Sequence, residues 1–163
     1  MCSSDLSDLP DHMARAIAAW KSAFLYGEFA GQLVNDSANA DVIVRAGPPP
    51  GSKLAASRRL NAALAPQCGG ATDLDVSLDH TQLELPVRIY LDPHSDPSAP
   101  GLAQCLALTA IHELGHALGI FQHSLDSDDI MFFDPSVALP SERDRETIEV
   151  LYHTPPNLQA VRP

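Results

Sequence analysis

The spacing of hydrophobic and polar positions predicts a short series of elements. Met13, Ile17, Trp20 and Phe24 recur at intervals of three and four, which makes one apolar stripe on a helix over residues 12–24. Asp11 suits its first turn or cap, and residues 1–10 read as a flexible lead ending at Pro10. Gln32, Leu33 and Val34 suggest a short strand, followed by a turn at Asn35-Asp36-Ser37. The β-branched run over residues 40–46 stops at Gly47 and three prolines, as a strand does. Residues 53–65, with Leu54, Leu60 and Leu64 as anchors, predict a short inserted helix. Gly69 to Thr72 reads as a turn, and Val76 to Leu78 as a local pairing segment. Leu85, Val87, Ile89 and Leu91 alternate with polar or bulky partners, so residues 83–91 predict a second firm strand. Pro86 favours an edge or the first part of that strand. Residues 102–118 predict a helix whose first half, with Leu102, Leu106, Leu108 and Ile111, is apolar nearly all round and therefore buried. A final helix over residues 141–152 is capped by Ser141, with Asp144 in place of the glutamate of a capping box and Ile148, Leu151 and Tyr152 facing inward.

The chemistry is concentrated from His112 to Ser124. On a helix, His112 and His116 stand one turn apart on one face, where two neutral imidazoles can bind one metal ion. Glu113 is one position round, within reach of a metal-bound water without being a ligand. Gly119 can take the left-handed conformation that ends a helix and turns the chain back. His123 then supplies a third imidazole, leaving zinc an open fourth position. Gln122 is the alternative third donor, but a neutral amide oxygen is a poorer zinc ligand; Asp126 is the next carboxylate along. The bulge that brings His123 to the metal should turn Ile120 and Phe121 towards the core and Gln122 outward.

The string from His112 to Gly119, followed by His123-Ser124, resembles the metzincin zinc metallopeptidases, most closely the matrixin-like branch. The usual spacing puts the third histidine at position 122; here it comes one residue later, as in bacterial-type sequences with a longer turn. Met131, eight residues after His123, corresponds to the methionine turn that floors the zinc site in that family. Phe132 and Phe133 follow where the family often has a tyrosine. The resemblance is strong over residues 102–133 and only one of layout elsewhere. It implies an α+β fold: a small twisted mixed sheet packed on a backing helix and a central active-site helix, with a Met-turn and a C-terminal helix. It also implies one catalytic zinc, Glu113 as general base, a peptide or protein substrate, and secretion. An edge strand above the cleft would pair with extended substrate, although the sequence does not say which strand is the edge. The rival function is a catalytically inactive zinc-binding or partner-binding domain of the same fold.

Length and charge narrow this picture without naming a substrate. A chain of 163 residues makes one domain, here residues 11–163 after the lead, and it is read as a monomer. A net charge of −11 argues against nucleic acid and against anionic lipid, and no apolar run reaches transmembrane length. The first six residues lack the basic region and apolar core of a signal peptide, so whether a signal or pro-segment has been removed stays open. Three cysteines make no disulfide framework. A Cys68–Cys105 bridge suits an exported chain, two buried thiols are the alternative, and nothing around Cys2 supports a zinc-capping role. The acidic run from Asp126 to Asp129 has hard oxygen ligands but no calcium-loop spacing, so a structural Ca²⁺ is unsupported. His12, His80, His94 and His153 stand alone and read as surface or structural.

Overall fold

Trp20 joins the first helix to the second. In this computed structural model, which describes residues 8–51, 67–94, 96, 98–156 and 158–162, helix α1 spans Leu9–Lys21 and helix α2 spans Leu102–Ala117. The Trp20 indole is fully buried, and its Nε1 donates to the Ile111 carbonyl at 2.7 Å. This satisfies a polar handle that would otherwise be costly to bury. α1 starts earlier than its stripe predicts. Pro10 sits in the first turn, where a missing N–H costs no helical bond, so Leu9 and Pro10 belong to the helix rather than to a lead. The helix stops at Lys21, and Phe24 lies beyond it, buried all the same.

Four strands form a mixed sheet among the described residues: β1 Val42–Ala46, β2 Cys68–Val76, β3 Gln82–Pro93 and β4 Gln159–Val161. β3 is central. It pairs with β1 in parallel, Val42 opposite Val87, and with β4 in parallel at its first residues, Gln82 opposite Gln159. On its other side it pairs antiparallel with β2. Of the two places expected for Pro86, it takes the first part of the strand and not an edge. Pro86 sits in a central strand, but in the gap between the β4 and β1 registers and where the β2 register shifts between Asp73 and Asp75. No ladder hydrogen bond is lost there. Val87, Ile89, Tyr90 and Leu91 are all buried, so the second half of β3 is covered on both faces.

Two further expectations are overturned nearby. Gly69 to Thr72 is the body of β2, not a turn; small residues are needed there because the strand runs close to α2. The turn lies at residues 77–81, where Ser77 N donates to Gln82 O and Asp79 accepts from Ser77 and Thr81. Gln32 to Val34 form no strand, and Leu33 and Val34 are about half exposed. The inserted helix expected over residues 53–65 and the reading of Cys2 lie outside the described residues.

α2 lies between the sheet and α1, and α1 packs chiefly on α2 rather than backing the sheet. Ala110, Ile111, Leu114 and the residues between them are buried, whereas Ala103 and Gln104 in the first turns are exposed. The all-round burial expected for the first half of α2 thus belongs to its middle. Helix α3, Glu142–His153, carries the reciprocal cap between Ser141 and Asp144. Ile148 is its buried anchor; Leu151 and Tyr152, expected inside, are each 41 % exposed and pack along the rim. There the Tyr152 ring stands edge-on to Phe24, with centroids 4.9 Å apart. The result is a small α+β fold with a mixed sheet and three α-helices among the described residues. No helix among them is long and apolar enough to cross a membrane.

Candidate metal centre

Three imidazoles converge at the C-terminal end of α2. His112 Nε2 and His116 Nε2 are 3.1 Å apart, and His123 Nε2 is 3.3 Å from His116 Nε2. His112 and His116 share a helix face, as their spacing requires. His123 arrives through the turn at Gly119, whose φ of +107° is the left-handed backbone that glycine adopts freely. In this turn Ile120 is buried, Gln122 is exposed and Phe121, expected in the core, is 52 % exposed.

The other ring nitrogens are held by backbone. His112 Nδ1 faces the Ile130 carbonyl at 2.8 Å, and His116 Nδ1 faces the Ile120 carbonyl at 2.6 Å. A carbonyl only accepts, so both Nδ1 atoms carry the proton and both Nε2 atoms carry the lone pair. Two lone pairs then face each other across 3.1 Å with no proton to share. A cation between them resolves that repulsion. Burial lowers the pKa of His112 to about 4, and burial also lowers that of His116, so both rings are neutral and ligand-ready at neutral pH. His112, His116 and His123 could together hold a metal ion; among the described residues they are the single cluster of three or more candidate groups.

Glu113 lies beside them and is 5 % exposed. Burial raises its carboxyl to about pKa 7, against the hydrogen bond that Thr72 Oγ1 donates to Oε2 at 2.7 Å. The same hydroxyl lies 2.9 Å from the Glu113 backbone carbonyl. β2 passes so close that a Cβ on Gly70 would stand 2.5 Å from Glu113 Oε1. Below the helix, a Cβ on Gly115 would meet Met131 Sδ at 2.4 Å and Trp20 at 2.6 Å. Met131 is 1 % exposed and packs directly against α2 there.

A second network fixes the loop that carries His123. Asp129 is 1 % exposed. Its Oδ1 accepts from Ser141 Oγ and from an Arg143 Nη, and its Oδ2 accepts from Ser124 Oγ and Arg143 Nε, at 2.5 to 3.0 Å. Burial pushes this carboxyl up, but the donors outweigh it and hold the pKa at about 2. Asp126 also pairs with Arg143, at 2.8 Å. Asp126 and Asp129 thus both serve Arg143, and Asp129 also holds two serines. Asp144 accepts from Ile130 N at 3.0 Å, so the residue whose carbonyl orients His112 is tied to the start of α3.

A disulfide between Cys68 and Cys105 ties β2 to α2 beside the site. The cleft above the histidines, about 430 Å³, is lined by Gly69, Gly70, Leu108, Glu113, Phe133 and Asp134 among others. Sequence reasoning missed Thr72, Gly115 and Asp129 and could not name the acceptors for the imidazole N–H groups. Those acceptors are backbone carbonyls, which no residue pattern reports. Only the Gly69-Gly70 pair offered a signal, in that adjacent glycines mark a close approach as readily as a turn. Of the four isolated histidines, His12 is buried in α1, His94 lies 3.3 Å from Asp92, His80 occupies a positive-φ turn, and His153 bonds Glu28 at 2.7 Å. The chain was compared with family models, curated proteins and solved structures, and nothing matches it in any of the three.

Proposed function

We propose that this chain is a zinc-dependent endopeptidase of the metzincin kind, nearest the matrixin-like branch. The observation that carries the reading is the convergence of three imidazole Nε2 atoms beside a buried glutamate. Tetrahedral zinc, about 2.0–2.1 Å from each donor, sets its nitrogens about 3.3 Å apart; the spacings of 3.1 and 3.3 Å suit it. All-nitrogen ligation by neutral imidazoles also favours zinc over the hard cations that prefer oxygen. When bound, zinc supplies Lewis acidity, making water nucleophilic near neutral pH and polarising a carbonyl.

The protein's own part falls to Glu113. Thr72 holds Oε2, and the absence of a side chain on Gly70 leaves room at Oε1. Oε1 would then take a proton from water as it attacks a peptide carbonyl, and deliver it to the leaving nitrogen. The hydrogen bond from Thr72 restricts the carboxylate rotor, so little ordering is left to the reaction itself. The substrate is a peptide or protein, the working form a monomer, and the location extracytoplasmic, in keeping with a disulfide beside the site.

The test is Glu113→Gln. It should keep about one zinc per chain and lose peptide cleavage by at least a hundredfold. Wild-type rates in that variant would remove Glu113 from the mechanism. Zinc binding with no cleavage in a broad peptide screen would favour the inactive zinc-binding domain, a reading in line with the missing tyrosine at Phe132 and Phe133.

A further inference from the structure

The cleft has one acidic group with no assigned partner. Of its polar lining residues, His112 and His123 belong to the metal centre, Glu113 is buried and bonded to Thr72, and Gln104 and Thr109 carry no charge. Asp134 is different. It is exposed, it lines the cleft, and among the described residues it makes no hydrogen bond or ion pair. No lysine or arginine among the described residues lines the cleft either. Apolar side chains line the same cleft, among them Phe133, Pro135 and Leu108. The Phe133 ring is 68 % exposed.

Such a cleft offers apolar surface and, at Asp134, an exposed carboxylate. The side chains that match both are lysine and arginine, whose methylene stems cover apolar surface while the cationic head seeks a carboxylate. An exposed aromatic face beside the acid adds attraction for the same cation. An acidic substrate residue would meet Asp134 with no lysine or arginine of the cleft lining to offset it. We infer that Asp134 is a specificity-determining residue, selecting a basic side chain of the peptide that occupies the cleft. This inference rests on the peptidase reading for its substrate class, but it is tested by binding as well as by cleavage.

The probe is a fluorescently labelled hexapeptide with a central arginine, compared with the same peptide carrying citrulline, which keeps the shape and loses the charge. Binding is followed by anisotropy on the zinc-loaded full chain carrying Glu113→Gln, so that the peptide is not consumed. The arginine peptide should bind about fivefold tighter, the scale of one partly exposed ion pair. Asp134→Asn should abolish the preference, and Asp134→Lys should reverse it. Glu146→Gln, on the exposed face of α3, should leave it unchanged, which separates a local contact from the general attraction of a chain with net charge −11. Equal binding of the two peptides, a preference that survives Asp134→Asn, one lost equally in Glu146→Gln, or no binding of either peptide at millimolar concentration would each overturn the inference. A wild-type protein that binds with this preference but cleaves neither peptide leaves the inference standing and removes the peptidase reading. One that cleaves both peptides equally well does the reverse.

Discussion

Asp129→Asn tests whether the loop that carries His123 is held by a buried charge. The carboxylate is 1 % exposed, accepts four hydrogen bonds and has its pKa held at about 2. An unfolded aspartate titrates near 3.9, so this depression corresponds to on the order of 2 kcal/mol of stability at neutral pH. Arg143 is 55 % exposed, which screens its share and keeps the figure at that order rather than above it. The sign follows from the direction of the shift. The folded pKa lies below the unfolded one, so the stabilisation is fully present above about pH 5. It fades as pH falls through about 4 and is gone below about 2. Urea unfolding of chelator-treated protein, followed by circular dichroism at several pH values from 7 to 2, reads this without interference from metal release. The two proteins should differ by about 2 kcal/mol at pH 7 and converge at the acid end. A gap that stays constant with pH would refute the charge argument and leave only lost shape. Because Ser124 bonds Asp129 at 2.6 Å and directly follows His123, the variant should also bind zinc several-fold more weakly with every ligand intact.

His123→Ala should weaken zinc binding by at least a hundredfold in chelator competition, while Gln122→Ala, an exposed position, should change it less than twofold; the reverse ranking would place the third donor one residue earlier. Gly70→Ala should cost about 1–3 kcal/mol in urea unfolding, because the new Cβ would stand 2.5 Å from both Glu113 Oε1 and Thr109 Cγ2. The same variant should lose more in kcat than in KM for any cleaved peptide, and unchanged stability and rate would show that β2 has room to retreat.

The histidine cluster was legible because its geometry is mostly local. A spacing of four on a helix fixes two imidazoles on one face whatever surrounds them, and the left-handed turn at Gly119 needs a residue without a Cβ. The α3 cap was legible for the same reason, since Ser141 and Asp144 bond each other across one turn. The buried stripe of α1 was also visible, although its ends were not, because Pro10 is as compatible with a first helical turn as with a loop.

What only the tertiary structure decided depends on neighbours distant in sequence. Gly69 to Thr72 looks like a turn by composition, yet it is a strand because β3 offers it a ladder and α2 leaves space only for small residues. Thr72 reaches Glu113 across 41 positions, and Trp20 reaches Ile111 across 91. β4 carries no strand pattern of its own and is ordered by the free edge at the start of β3. The groups that orient His112 and His116 are backbone carbonyls, identical in every residue, so their role comes from position alone. Leu151 and Tyr152 had the periodicity of a buried face, but among the described residues no further layer covers that side of α3. Periodicity marks which residues are able to be buried, and the packing of the whole chain decides which of them are.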